Sequence, residues 1–412
     1  MSTPISRKNF LRLAGASVGA LAVDGVVGSP AAAQTPTERA PEPGVEFVAY
    51  YFPQWHADPR NEQWFGPGWS EWEVLKSARP RFDGHDQPKR PLWGYTDESD
   101  PEQMARRIDA ASSHGLNAFI FDWYWYDGPF LNGALDRGFL KADNADDLKF
   151  ALMWANHDWW DLYPAKRRTL YDTLMPGATD RAAFERATDH VIANYMRHPR
   201  YWRVGGKAYF SIYDIGTLQN GLGGRPATRA ALDDLRARAA RAGVGELHLN
   251  VVVNQWLPDI NAMVAELGFD SVTHYTWIHH EYDLLTQIAT PYDTVRESAA
   301  RSWERFDGDF EAPYFPVVSM GWDPSPRTAQ SDVYEHIGYP FTPVFTKNTP
   351  NEFREALRAG REFVSKPEHE LKIVAINAWN EWTEGSYLEP DVEHGMAYLD
   401  ALRAVARAPR AR

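Results

Sequence analysis

The run Ile373-Val374-Ala375-Ile376-Asn377-Ala378, followed at once by Trp379-Asn380-Glu381-Trp382-Thr383-Glu384-Gly385, carries the pattern on which the fold is read. It is short, rich in β-branched residues and nearly continuous in apolar character, as expected of a parallel strand covered on both faces. Upstream of it the same kind of run recurs at Phe47 to Tyr51, Ala118 to Trp123, Phe150 to Trp154, Ala208 to Ile212, Leu247 to Val253, Ser271 to Tyr275 and Tyr314 to Ser319. Between the runs, apolar residues fall at helical spacing, as in Phe184, Ala187, Val191 and Tyr195, or Tyr292, Val295, Ala299 and Phe306. Asp100-Pro101 reads as an N-cap with proline at the first helical position, and Gly115 as the stop. Thr349 and Glu352 have capping-box spacing. Eight strands alternating with eight helices predict one α/β domain, a (β/α)8 TIM barrel over residues 45–407. A doubly wound sheet is disfavoured, because Pro53-Gln54-Trp55-His56 follows the first strand where a glycine-rich phosphate loop would be needed.

In such a barrel the active site lies at the C-terminal ends of the strands, so the residues after each run are the candidates. They are aromatic and polar: Tyr51, Gln54, Trp55 and His56 at the first strand, Glu71 in the long loop beyond it, and Asp122, Trp123 and Tyr124 at the second. Trp154, Asn156 and His157 follow the third, Asn254 the fifth, Tyr275 and Trp277 the sixth, Trp322 the seventh, Trp379 and Asn380 the eighth. More than half of the 17 tryptophans crowd these segments or the first loop. An indole offers a flat apolar face and one N–H donor, which suits the C–H face of a sugar, and Trp123, Trp154 and Trp322 are expected to face the barrel axis. All these residues are read as substrate-binding.

Glu381 and Glu384 are the expected catalytic pair. Three positions apart on a helical turn, their carboxyl groups are forced together, and like charges at that range separate the two pKa values into one acid and one base. Glycosidases use such pairs, and so close a placement suits retention better than an inverting reaction, which needs room for a water.

Tyr50-Tyr51-Phe52-Pro53-Gln54-Trp55-His56, Gly68-Trp69-Ser70-Glu71-Trp72, Phe119 to Tyr126 and Trp379 to Asp391 together resemble the WbsX-type domain, which is similar to glycoside hydrolase family 99. The resemblance runs from about Glu46 to Ala401. It implies that Glu381 deprotonates the sugar 2-hydroxyl, that Glu384 protonates the leaving oxygen, and that retention proceeds through an epoxide-like intermediate. Beyond Gly385 the chain follows the WbsX pattern and departs from that of the endo-α-mannosidases, so the resemblance does not carry mannose with it.

The 412 residues have a formal net charge of -13 and no cysteine, which argues against nucleic-acid partners and excludes disulfides and thiolate chemistry. Ser6-Arg7-Lys8-Asn9-Phe10-Leu11, a weakly apolar run and Ala31-Ala32-Ala33 resemble a twin-arginine export signal over residues 1–33, followed by a linker over 34–44. A periplasmic or secreted protein with a carbohydrate substrate is expected. No membrane span is expected either, because no stretch approaches the ~20 apolar residues one needs. His274, His279, His280, Glu281 and Asp283 lack zinc-type spacing, so no metal or other cofactor is expected. The rival functions are a glycosyltransferase of polysaccharide assembly and a non-catalytic carbohydrate-binding protein.

Overall fold

The computed structural model describes residues 44–254 and 257–408. The expected leader and nearly all of the expected linker lie outside them. The strands are β1 (Glu46–Tyr51), β2 (Ala118–Trp125), β3 (Lys149–Trp154), β4 (Lys207–Ile212), β5 (Leu247–Val252), β6 (Ser271–Thr273), β7 (Val317–Ser319) and β8 (Ile373–Asn377). Each lies at the position read from its apolar run. They form one parallel barrel sheet in the order β6-β5-β4-β3-β2-β1-β8-β7, with β1 paired to β8 in the register Glu46↔Ile373. The β6–β7 seam is closed by a single parallel bridge, Val272 to Tyr314, with the Val272 N–H donating to Pro313 O at 2.9 Å. Pro316 shortens β7 relative to the run starting at Tyr314, because it has no N–H to give to a ladder.

The outer layer is made by α1 (Pro101–Ser113), α2 (Arg181–Val191), α3 (Arg225–Arg241), α4 (Ile260–Leu267), α5 (Tyr292–Asp309), α6 (Pro350–Ser365) and α7 (Ala397–Ala406). The caps act as read: the Asp100 carboxylate accepts from the Glu102 N–H at 2.9 Å, and Thr349 caps α6. One expected helix is replaced. Between β2 and β3 the chain makes a π turn at Ala134–Gly138 and 3-10 turns at Phe139–Lys141 and Ala145–Asp147. Its two glycines press against the first loop: a Cβ on Gly138 would lie 2.3 Å from Glu98 O, and one on Gly133 2.4 Å from His56 Nε2. Contact with that loop, and not helical propensity, sets the path here.

Two cores result. The larger fills the barrel and the helix–sheet layer. A second, mainly aromatic one lies at the C-terminal mouth, where Phe52, Trp55, Trp72, Tyr124, Phe130, Trp159, Trp382 and Tyr387 interlock the loops after β1, β2, β3 and β8. Fully burying an aromatic ring stabilises by roughly 1.5–3 kcal/mol, so this cluster contributes substantially to holding the mouth loops together.

Candidate active site

After β8 the chain makes one tight turn, Trp382–Glu384, and leaves it through Gly385 in the left-handed region at φ 64. Glycine is required there twice over, because a Cβ would also lie 2.8 Å from the Asp323 Cβ. The close approach lets the Asp323 N–H reach Glu384 O and joins the β7 and β8 loops. Trp382 sits between the two glutamates in sequence, stacks on Tyr387 at 3.7 Å, and donates its indole N–H to Glu389 at 2.8 Å. Glu389 is in turn paired at 2.8 Å with Arg107 of α1, both almost fully buried. The turn bearing the glutamates is therefore held from below by a desolvated ion pair.

Above it lies the group that sequence reading missed. Arg327 is 4% exposed, and its guanidinium meets three carboxylates: Nε is 2.8 Å from Glu71, Nη2 is 3.0 Å from Glu381, and Nη1 contacts Glu384. Nε also faces the Thr383 hydroxyl at 3.0 Å, the Tyr339 hydroxyl donates to Glu384 at 3.0 Å, and the Phe52 ring lies 5.4 Å beneath the guanidinium carbon. Loss of hydration raises the pKa of Glu381 well above the ordinary carboxylate value, helped by the charges of Glu384, Glu71 and Asp122 and opposed by Arg327. Glu384 is raised in the same way by burial, with Arg327 and the Tyr339 hydroxyl opposing. The pair thus retains a proton more readily than free glutamates do, and so can supply an acid and a base together.

Asp122 is a third carboxyl. Burial raises its pKa, and the Tyr275 hydroxyl, 2.7 Å away, opposes the shift. The same hydroxyl lies 3.2 Å from Glu381 and so bridges the two acids.

These groups line a cleft of about 930 Å³ at the C-terminal face. It contains Glu381, Glu384, Asp122, Tyr124, His157, Asn254, Tyr275 and Trp322 of the expected residues, together with the unforeseen Arg327, Tyr339, Tyr163, Trp159, Tyr213 and Phe52. Other expected residues are placed elsewhere. Trp123 and Trp154 do not face the axis: side chains alternate along a strand, so Asp122, Tyr124 and Met153 point inward. Trp123 lies against Trp125 and His190, and Trp154 against Phe184 of α2. Tyr51 points outward in the same way, toward Phe119 and Phe121. Trp277 donates to Val317 O at 2.7 Å inside the barrel wall, and Trp379 is buried against Phe119. Gln54 is fully buried, Trp55 packs on Trp72 at 4.1 Å, and His56 pairs with Glu98 at 2.9 Å. Glu71, Asn156 and Asn380 act one layer out. Glu71 holds Arg327, Asn156 exchanges two hydrogen bonds with the Asp214 backbone, and Asn380 does the same with Phe52.

Residues 47–402 match the family model described as glycosyltransferase WbsX. The chain belongs to the WbsX family. Two relatives named uncharacterized protein WxcX, from Xanthomonas campestris pv. campestris strains B100 and ATCC 33913, are 31% identical over 383 residues, which is 88% of this chain and 50% of theirs. The chain thus spans about half the length of the curated relatives it matches. Among solved structures, the WbsX barrel resembles a glycoside hydrolase-like protein at TM-score 0.57 and 18% identity, covering 89% of this chain and 95% of that one. It also resembles the family GH99 endo-alpha-mannosidase of Bacteroides thetaiotaomicron, at TM-score 0.53 and 14% identity over 88% and 95%. At these identities the likeness shows the fold alone, a TIM barrel.

Proposed function

We propose that this WbsX chain is an exported glycoside hydrolase that cleaves with retention, using Glu381 as base on the sugar 2-hydroxyl and Glu384 as acid on the leaving oxygen. The carrying observation is the buried Glu381–Glu384 pair on one guanidinium at the floor of an aromatic cleft. Raised pKa values on both supply the proton that Glu384 must donate. Arg327 and the Tyr275 hydroxyl stabilise the carboxylate that Glu381 must present. Export rests on the Ser6 to Ala33 signal.

The family's description names a transferase, and the charge of the cleft argues for hydrolysis instead. A nucleotide-sugar donor brings a diphosphate, which needs cations or a glycine-lined helix terminus. The only lysine or arginine lining the cleft among the described residues is Arg327, whose nitrogens already face three carboxylates. Incubating the protein with a panel of polysaccharides and oligosaccharides and assaying new reducing ends tests the reading. Release supports a hydrolase, sugar transfer only with a nucleotide donor supports the transferase, and affinity without release leaves a binding protein. Covalent labelling of Glu381 by a 2-fluoro sugar, or an inverted anomer by NMR, would refute the assigned mechanism.

A further inference from the structure

Asp122 lies in β2 and Tyr275 follows β6, on the opposite side of the barrel, and between them they present one hydroxyl to two acids. The Tyr275 oxygen is 2.7 Å from Asp122 Oδ2 and 3.2 Å from Glu381 Oε1, and all three side chains are buried. A phenol has a single proton to give. With both carboxyls ionised, one of them would face only the lone pairs of the hydroxyl oxygen, in a site from which water is excluded. The arrangement is satisfied when the trio shares one further proton. A carboxylic acid O–H then donates to the Tyr275 oxygen, and the Tyr275 O–H donates to the remaining carboxylate.

The surroundings decide which acid holds that proton. Glu381 has a cation, with Arg327 Nη2 at 3.0 Å from its Oε2. Asp122 is paired with no cation among the described residues, and its Oδ1 is buried without any hydrogen-bond partner. A carboxylate is far costlier to bury in that state than a neutral acid. The titratable groups facing Asp122 are Tyr50 of β1, Tyr124 of β2, Tyr213 beyond β4, Tyr275, and Glu381 and Glu384 of the turn after β8. Burial holds all four phenols above their ordinary pKa, so they are uncharged at neutral pH, and the glutamates bring only negative charge. Nothing near Asp122 favours its ionised form except the one hydroxyl that Glu381 also needs.

We infer that Asp122 is a neutral acid at neutral pH and a positioning residue: its O–H donates to Tyr275 and so turns the Tyr275 O–H onto Glu381, which stays ionised as the base. The role of Glu381 as base rests on the hydrolase reading of the same site, whereas the proton on Asp122 rests on the geometry alone. With that proton in place Asp122 sets no charge beside Glu381, and the base keeps two donors, Tyr275 and Arg327. An ionised Asp122 would draw the hydroxyl to itself, the nearer carboxyl, and leave Glu381 beside a further negative charge with Arg327 alone opposing it. A buried carboxyl kept neutral so that it can donate is an arrangement enzymes use elsewhere.

The first measurement needs no substrate. Wild-type protein carrying carbon-13 in its aspartate side-chain carboxyls should show, in the infrared near pH 8, a protonated-carboxyl band that moves with the label, although aspartates of ordinary pKa are ionised there. The band should vanish in Asp122→Asn. It should shift in Tyr275→Phe, which removes the acceptor of its O–H, and both variants are checked for a native melting transition. A wild-type spectrum with no label-sensitive band overturns the inference whether or not either variant folds. A band that survives Asp122→Asn places the proton elsewhere and also overturns it, and a band unmoved in Tyr275→Phe refutes the positioning role. The second measurement is the acidic limb of kcat/KM on the glycan found by the reducing-end assay, which reports ionisation of the base. In Tyr275→Phe the limb should move to higher pH by about one unit or more, since Glu381 loses a donor. In Asp122→Asn, whose amide can also donate to Tyr275, it should keep its place, and a move to lower pH would show that the wild type carried a charge there and overturn the inference. The band without cleavage of any glycan refutes the hydrolase and leaves Asp122 a neutral acid, whereas cleavage without the band refutes this inference alone.

Discussion

Replacing Arg327 by methionine tests the centre of the arrangement, because it removes the charge and keeps much of the apolar stem. Arg327 faces Glu71, Glu381 and Glu384, so three carboxyls already exceed one guanidinium, and in the variant none of the three keeps this partner. Stripping one partner from a buried ion pair costs about 3–5 kcal/mol. The cost has a definite pH dependence. Glu381 and Glu384 have folded pKa values above the ordinary glutamate value, so their contribution to stability is greatest below that value and declines as pH rises through the raised range. Without Arg327, which holds both pKa values down, they rise further and the decline steepens. Urea unfolding of Arg327→Met should therefore show a loss of about 3–5 kcal/mol near pH 8 and a clearly smaller one near pH 5, where Glu381 and Glu384 hold more protons. In kcat/KM, the acidic limb of the pH profile should move to higher pH, since a base with a raised pKa ionises later. An equal loss of stability at both pH values, or a limb that stays in place or moves down, would refute the view that Arg327 neutralises this carboxylate cluster.

Glu381→Gln and Glu384→Gln should each lower turnover by roughly 10² or more with the melting transition kept, and a substrate with a good leaving group should partly rescue only Glu384→Gln. Tyr275→Phe removes the hydroxyl shared by Asp122 and Glu381. It should lower kcat more than it raises KM, read from initial rates on the glycan that the reducing-end assay identifies. Trp322→Ala should weaken glycan affinity by about 0.5–1.5 kcal/mol, whereas Trp123→Ala should leave affinity unchanged and lower only the unfolding free energy. Cell fractionation with N-terminal sequencing should find the mature chain outside the cytoplasm, beginning near Gln34.

The barrel was legible in the sequence because all eight strands are buried on both faces, so each announces itself as an apolar run in a single register. The site was legible only in part. The Asn380-Glu381-Trp382-Thr383-Glu384-Gly385 stretch was distinctive enough to place two carboxyls at a strand end, and Asp122, Tyr275 and Trp322 were found by the same rule. Trp123 and Trp154 misled because a tryptophan at a strand end serves equally as helix-facing core. The two-residue alternation through Asp122 and Tyr124 was the available signal that it pointed outward. Arg327 could not be read from spacing, since Pro324-Ser325-Pro326-Arg327 resembles an exposed loop. What called for it was electrostatic: a buried glutamate pair needs a cation, and only the folded chain shows that the seventh loop delivers one, with Glu71 from the first loop on its far side.

The clamp around Arg327 also fixes when during synthesis a working site can exist. Glu71 leaves the ribosome early, Arg327 much later and the glutamate turn later still, and β1 has no partner on its β8 side until Ile373–Asn377, just ahead of that turn, has been made. Until then the nascent chain holds a half-sheet with an open apolar edge and a buried-type glutamate awaiting its counter-charge, a species suited to chaperone capture. The strand that pairs with β1 and the turn that bears both glutamates are contiguous in the chain, so a chain that stops short of Ile373 has neither.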